Sequence, residues 1–451
     1  MPRAKKKQPT STTTTKTIEQ AKKVLDINFK DGYTMPSKVL YPHQWLWDSC
    51  FHAIGLRHHR PDRALEEIKL LLRGQWPNGM VPHMIFSGAK HGHQRYNIWK
   101  SHVCDDCVVG LRTSAITQPP VIAWAFEKVV NSLPKKDQKA AIEKYLPQII
   151  RYHQWLYADR DPDQTGRIVI IHPWESGLDN NPALMAALRE CFPVNTSEKI
   201  FLTNPFVRGV YHKLRKDIQV TSAAERSRTV ENWMFARLIA RYRRKLYKTE
   251  AILYDKNSFV VEDVSFNAIF IRSNAAIKTL AKKIKLTLPD DLTQAMDRSD
   301  AAFADFWNDD KQAYLSRNWH TKQSIPIETI EELLPLITSI IPKSNAKKIV
   351  TKLESNNFFT PKPVSTNNTA RDDYDPIRYW QGPVWVNMNW MIIEGLKNYG
   401  YTKKAKDLAN STIKLVEENG IWEYYNSQTG MGHGISSFSW TAALYLDLIN
   451  S

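Results

Sequence analysis

The stretch Trp385-Val386-Asn387-Met388-Asn389-Trp390-Met391-Ile392-Ile393-Glu394-Gly395-Leu396-Lys397-Asn398-Tyr399, followed at once by Gly400, decides the reading of the fold. Its apolar side chains recur at three- and four-residue intervals, the spacing of a helix with a buried stripe. Gly400 stands where a helix C-terminus commonly takes a left-handed residue. A second run of the same period, 403–418, begins just beyond it. Two such runs across a short turn read as an antiparallel helical hairpin.

Outward from this hairpin the same period recurs at 45–58, 62–73, 120–132, 136–158, 229–247 and 262–285, and again at 288–308, 327–339, 345–355 and 436–449. This makes about twelve helices with few strand signals, separated by clusters of Pro, Gly, Asn and Asp. Ser436-Ser437 can open the last helix. Taken in pairs, the helices predict a closed ring of hairpins, an inner ring inside an outer one, with long loops over one mouth. No linker-like stretch or strong repeat divides the chain, so residues 17–451 read as a single catalytic domain. Residues 1–16 read as a disordered basic tail: Pro2-Arg3-Ala4-Lys5-Lys6-Lys7 leads into Thr12-Thr13-Thr14-Thr15. The stretch 182–221 shows no clear helix and reads as a lid loop. Irregular segments at 74–119, 159–221, 309–325 and 358–383 are the places for chemistry, because functional loops ride on rigid helices.

The formal charge of +16 raises nucleic acid and membrane surfaces as partners. The basic residues are spread along the chain, however. The densest run, Arg241, Arg243, Arg244 and Lys245, falls on a helix whose solvated face explains it. No run approaches the roughly 18 apolar residues of a membrane span, and the tail lacks the apolar core of a secretory signal. The four cysteines, Cys50, Cys104, Cys107 and Cys191, are too sparse for a disulfide framework and fit a reducing cytoplasm. Cys104-Asp105-Asp106-Cys107 has no second ligand pair at zinc spacing, so no metal and no cofactor is expected. Asp161-Pro162-Asp163-Gln164-Thr165-Gly166 begins like a calcium loop, but His172 occupies the twelfth position where a bidentate Glu belongs. It reads as a polar turn before a short strand at 167–171.

The chemistry lies in two segments far apart in sequence. One is His172-Pro173-Trp174-Glu175-Ser176-Gly177-Leu178-Asp179-Asn180-Asn181-Pro182, the other Gly420-Ile421-Trp422-Glu423-Tyr424-Tyr425-Asn426. Each places a carboxylate among rings and amides. Acetal hydrolysis needs such a pair: one acid protonates the leaving oxygen, the other activates water or attacks the ring carbon. Asp179 is the better acid, because loop burial would keep it protonated, with Glu175 its rival. Tryptophan, at 15 residues, clusters with polar side chains as sugar-binding walls do. Trp45 and Asp48 share a helix face in Tyr41-Pro42-His43-Gln44-Trp45-Leu46-Trp47-Asp48-Ser49. Gln75-Trp76-Pro77-Asn78-Gly79-Met80-Val81-Pro82-His83 reads as a turn at the mouth, and Arg378-Tyr379-Trp380-Gln381-Gly382-Pro383-Val384-Trp385 as a sugar wall.

These motifs, with Phe438-Ser439-Trp440-Thr441-Ala442, together resemble glycoside hydrolase family 63, nearest its short members, the mannosylglycerate and glucosylglycerate hydrolases. They fall in family order over nearly the whole chain. The resemblance implies an all-α (α/α)6 toroid, a six-hairpin glycosidase, and hydrolysis with inversion. It implies Asp179 as general acid and Glu423 as general base. It lines the sugar site with Tyr41, Trp45, Leu46, Trp47, Asp48, Gln75, Gln118, Gly177, Tyr379, Trp380 and Trp385, with Tyr96 a further substrate contact. In the short members an Arg meets a glycerate carboxylate; Arg226 and Arg228 both remain candidates, with Arg208 and Arg215 next in line. The chain departs from the family at Gln381, where Arg is common, and in the block His91-Gly92-His93-Gln94-Arg95-Tyr96. The expected substrate is therefore a small α-mannosyl or α-glucosyl compound such as a hexosylglycerate. A neutral-substrate α-glucosidase or trehalase-like enzyme is the alternative, and a non-catalytic sugar-binding protein a more distant one. The expected partner is a small-molecule glycoside in a cytoplasmic setting, without nucleic acid or membrane; homo-oligomerisation stays open.

Overall fold

The computed structural model describes residues 12–88, 96–191, 196–355, 358–360 and 362–451. Six helices, Leu46–Leu56, Ile122–Ser132, Val264–Lys283, Ile330–Thr338, Val386–Asn398 and Ser439–Asn450, contact one another in that order, and the last returns to the first. This closes the inner ring. It is buried because its members are apolar nearly all round: every residue of Leu46–Leu56 and of Ile330–Thr338 is buried. Each inner helix carries an outer one: Pro61–Arg73, Lys135–Arg160, Asp290–Ala302, Lys343–Glu354, Thr402–Asn419 and Thr12–Ile27. The outer helices bury one stripe each. In Lys343–Glu354 this is Ala346, Ile349, Val350 and Leu353, where each large side chain contributes about 1.5–3 kcal/mol. The expected (α/α)6 toroid is thus the observed architecture.

Its membership differs from the sequence reading in two places. The sixth outer helix is Thr12–Ile27, which corrects the assignment of 12–16 to a disordered tail; residues 1–11 lie outside the described residues. The threonine run is a weak helix former, but Thr17, Ala21, Val24 and Leu25 dock on the last inner helix and tertiary burial overrides propensity. The run at 229–247, counted as a ring member, forms helix Thr229–Arg244 outside the ring. The supposed lid loop 182–221 is also corrected: it is a helical excursion of Pro182–Cys191, Thr196–Thr203, Pro205–Leu214 and Lys216–Val220. Inner helix Ile330–Thr338 is a 3-10 helix containing Pro335, which cannot supply an α-helical donor.

Strands are short, and several brace the mouth. Gln44–Trp45 pairs with Met84–Ile85, Trp422–Tyr425 pairs with Gly432–Ser436, and Val169–Ile170, Val261–Glu262 and Arg317–Asn318 form one small sheet. No described helix is long and apolar enough to cross a membrane.

Between the third and fourth inner helices lie two buried acids. Asp263 accepts from Ser265 Oγ at 2.7 Å and Phe266 N at 2.6 Å, and Glu331 accepts from Ser316 Oγ at 2.9 Å. Their remaining oxygens, Asp263 Oδ2 and Glu331 Oε1, are buried without a donor. Burial first, then the Asp263 charge, pushes Glu331 well above the usual carboxylate range. The unfolded chain therefore releases these protons at lower pH than the folded one, and native stability falls as pH rises above about 4. Glu331→Gln supplies a permanent donor. Its thermal midpoint should match that of the native protein near pH 4 and exceed it by a few degrees at about pH 8, measured by circular dichroism; a midpoint difference independent of pH would contradict this account.

Candidate active site

The long loops meet where the inner helices begin. Trp45 is the N-cap of Leu46–Leu56, Gln118 lies just ahead of Ile122–Ser132, Trp385 caps Val386–Asn398 and Phe438 caps Ser439–Asn450. Together with the loops they enclose a cavity of about 410 Å³. Helix N-termini carry partial positive charge, which favours carboxylates and hydroxyl oxygens there.

Asp179 reaches the cavity on a loop fixed at both ends. On one side, buried Glu175 accepts from Arg160 Nη1 at 2.9 Å, Thr117 N at 3.1 Å and Ile171 N at 2.7 Å. Glu175 is thus consumed by the scaffold and does not line the cavity. On the other side, Asn180 accepts from Trp380 N at 3.0 Å and Gln381 Nε2 at 3.2 Å, while Asn181 donates to Thr329 at 3.1 Å. Gln381, the departure from the family pattern, therefore holds the Asp179 loop. Burial, opposed by backbone hydrogen bonding and the Arg226 charge, pushes Asp179 up to about 7.

Glu423 lies on the hairpin Trp422–Tyr425/Gly432–Ser436 and is fully paired. Arg226 donates to both oxygens, Nη1 to Oε1 at 3.0 Å and Nη2 to Oε2 at 2.6 Å. Tyr41 Oη donates to Oε1 at 2.8 Å and Ile435 N to Oε2 at 3.2 Å. The preceding residue fastens the arginine's own segment to the hairpin: Glu225 Oε2 accepts from Gly434 N at 2.9 Å, and its carbonyl accepts from Tyr424 Oη at 2.7 Å. A third carboxyl, Asp48, faces the same cavity. Burial raises it well above its ordinary value, helped by the charges of Glu423 and Asp179.

The aromatic wall is layered. Trp380 stacks on Trp385 at 3.8 Å and 6°, and Trp385 on Tyr424 at 4.7 Å and 28°. Trp385 is fully buried behind Trp380 and donates from Nε1 to Tyr379 O at 2.8 Å, so it supports the wall rather than lining it. That support holds Tyr379 at φ +38°, a strained backbone for a tyrosine.

Of the expected residues, Tyr41, Trp45, Trp47, Asp48, Gln118, Gly177, Asp179, Arg226, Tyr379, Trp380 and Glu423 line the one cavity. Leu46 is buried in the core beneath it. Gln75 is a correction: it donates to Gly79 O at 2.9 Å and Gln148 O at 2.8 Å, tying the turn to an outer helix. Tyr96 is another: it hydrogen-bonds His102 Nδ1 at 2.6 Å, packs on Phe86 and does not line the cavity; its neighbours 91–95 lie outside the described residues. Arg228 is exposed, with its side chain 3.7 Å from Glu231, so of the two candidate arginines it is Arg226 that lines the cavity. Sequence reasoning missed Trp99, Trp174, Asn232, Phe235 and Lys216 on the cavity wall, whereas Arg215, next in line after Arg226 and Arg228, does line it. Trp174 stood beside the acid motif, a signal left unused. Lys216 had none, because its helix was not recognised. Among the described residues no group of three or more His, Cys, Asp or Glu side chains is placed to hold a metal.

A helical toroid whose mouth sets two carboxylates against an aromatic wall has the architecture of a glycoside hydrolase. Residues 41–441 match the family described as mannosylglycerate hydrolase MGH1-like glycoside hydrolase domain. The chain belongs to that family and is a glycoside hydrolase. The mannosylglycerate hydrolase of Rubrobacter radiotolerans is 32% identical over 438 residues, 96% of this chain and 96% of its own. The glucosylglycerate hydrolase of Mycolicibacterium hassiacum is 28% identical over 461 residues, 97% of this chain and 98% of its own. The crystal structure of the GH63 mannosylglycerate hydrolase from Thermus thermophilus, in complex with Tris and D-glycerate, aligns with a TM-score of 0.86 at 32% identity, covering 96% of this chain and 99% of that one.

Gly434 shows how tightly the site is built. Its φ is +73°, and a Cβ there would fall 2.3 Å from Glu423 Oε2. Gly434→Ala should displace that carboxylate and lower kcat for glycoside hydrolysis by about 10²-fold while far-UV circular dichroism is unchanged. Native-like kcat in this variant would show that the position of Glu423 does not limit turnover.

Proposed function

We propose that the protein is an inverting α-glycosidase that cleaves a hexosylglycerate, with Asp179 as general acid and Glu423 as general base. The observation that carries this reading is the opposite treatment of two carboxylates in one cavity. Asp179 is desolvated and keeps its proton up to about pH 7, whereas Glu423 accepts hydrogen bonds from both terminal nitrogens of Arg226, from Tyr41 and from a backbone amide. An acid must hold a proton to give to the leaving oxygen, and a base must be free of one to take it from water. Asp48, Trp45 and Gln118 line the same cavity and, in this reading, hold the sugar. The hydrolases named above act by name on mannosyl- and glucosylglycerate, which supports this substrate class for the present chain and leaves both sugars in view. A cytoplasmic setting belongs to the same reading, supported by four unpaired thiols.

Proton transfer from Asp179 requires its protonated form. The kcat/KM profile should therefore fall as pH rises through about 7. Asp179→Asn and Glu423→Gln keep side-chain shape and should each lower turnover by at least about 10²-fold. Proton NMR of the first product should show the β-anomer from an α-glycoside; an α-anomer appearing first would overturn inversion.

A charged aglycone needs a cation. Arg226 is committed to Glu423, so the wall formed by Arg215 and Lys216 is the better site for a glycerate carboxylate. Arg215 is braced by Asp217 and by Ser227 O at 2.9 Å. Arg215→Ala should weaken binding of a hexosylglycerate by about 2–3 kcal/mol, seen in KM, and leave an uncharged α-glycoside little affected. Arg226→Ala should lower kcat on both substrates. The prior pairing of both arginines favours a second reading, a neutral α-glucoside substrate. Equal KM changes on charged and uncharged substrates would select it.

A further inference from the structure

Among the described residues two thiols share one tight turn outside the sugar cavity. We propose that Cys104 and Cys107 form a dithiol site that closes reversibly to an intramolecular disulfide by exchange with low-molecular-weight disulfides such as oxidised glutathione, and that closure loosens the cavity wall at Trp99. The two cysteines are the end residues of a hydrogen-bonded turn, with Cys107 N donating to Cys104 O at 3.1 Å. End residues of such turns have Cα atoms within about 7 Å. Disulfides span about 4.4–6.8 Å between Cα atoms, so the backbone is already near the required spacing. Both thiols are free and half-buried, whereas Cys50 is sealed in the core. Cys107 Sγ makes replaceable contacts with Ser101 Oγ at 3.6 Å and Val108 O at 3.7 Å.

The exchange balances in two steps. The thiolate of one cysteine attacks a sulfur of the reagent, forming a mixed disulfide and releasing one reagent thiolate. The second cysteine thiolate then attacks the protein sulfur of that mixed disulfide, and the second reagent thiolate leaves. The protein loses two protons and two electrons, and the reagent gains them as two thiols. Burial pushes both thiols above their ordinary values, so the thiolate is scarce and exchange is slow.

The link to the cavity runs through one strap of chain. Ile98 and Trp99 line the cavity, and Ser101 anchors the strap through Oγ to Thr113 O at 2.7 Å. The same Ser101 oxygen takes the Cys107 thiol contact. Closing the disulfide draws the Cys107 sulfur away from Ser101, two residues from Trp99.

The test is to hold the full-length protein in graded ratios of oxidised to reduced glutathione, quench with acid, alkylate and weigh the peptides. An internal Cys104–Cys107 disulfide, reversed by dithiothreitol, is expected. Cys104→Ser and Cys107→Ser should each stop at a glutathione adduct on the remaining thiol, and both should keep native turnover when reduced. The site is overturned if the native protein also stops at the adduct, or if both thiols stay open to alkylation at the most oxidising ratio. The oxidised protein should show a KM for a hexosylglycerate raised several-fold and restored by dithiothreitol; an unchanged KM would overturn the link to Trp99. That kinetic arm rests on the proposed substrate. Failure of the reduced protein to turn it over would count against the substrate, and the peptide masses would still decide the thiol site.

Discussion

The site depends on one buried ion pair, Arg226 with Glu423. It joins three parts of the chain: Tyr41 ahead of the first inner helix, Arg226 at the end of the helical excursion, and the hairpin carrying Glu423. Both partners are almost wholly buried. Such a pair gains little over an apolar contact, but breaking it by removing one partner costs about 3–5 kcal/mol. The same guanidinium sets the asymmetry of the two carboxylates. It bonds Glu423 directly but acts on Asp179 across space, where the Glu423 charge opposes it. Desolvation then decides the state of Asp179, whereas Glu423 is held in place by direct bonding.

The ring contributes rigidity and direction. Its inner helices are largely buried, Leu46–Leu56 and Ile330–Thr338 wholly so, which fixes the residues at their N-terminal ends. Trp47 packs on Phe51, Trp380 and Trp440. Gly177 lies so close to the Trp47 ring that a Cβ would come within 2.4 Å, and its φ of +75° is open to glycine. Acid loop and sugar wall are therefore fitted to one another by contact, which is how a loop acid acquires the precision of a helical one.

Periodicity revealed the ring because buried helices leave a repeating signature wherever a stripe must face inward. It failed at Thr12–Ile27, where a run of threonines masked a sparse stripe of four buried residues. It failed again at 182–221, whose helices are short and separated by Pro182, Asn204 and Pro205, so no window holds enough turns to show a period. At the site, residue type and clustering brought out the carboxylates and most of the rings. They could not separate a ring that lines the cavity from one that backs it, as with Trp380 and Trp385. Nor could they tell an amide that lines the mouth from one that ties a turn to a helix, as with Gln75. Those distinctions depend on which face of a residue is covered, and only tertiary packing supplies that.

The helical excursion has the largest consequence among the segments that periodicity missed. It leaves the ring directly after the acid loop and returns through Arg226. Along its course it sets Arg215, Lys216 and Asp217 on the cavity wall. One segment therefore holds Glu423 in place and sets cations on the cavity wall. The two duties are kept apart by pairing: Arg226 is saturated by Glu423 and Tyr41, while Arg215 is oriented by Asp217 and a carbonyl. A guanidinium saturated by the base cannot also adapt to a new aglycone without releasing that base. Under the proposed assignment, change in the charged half of the substrate can thus be accommodated at Arg215 and Lys216 without disturbing Asp179 and Glu423.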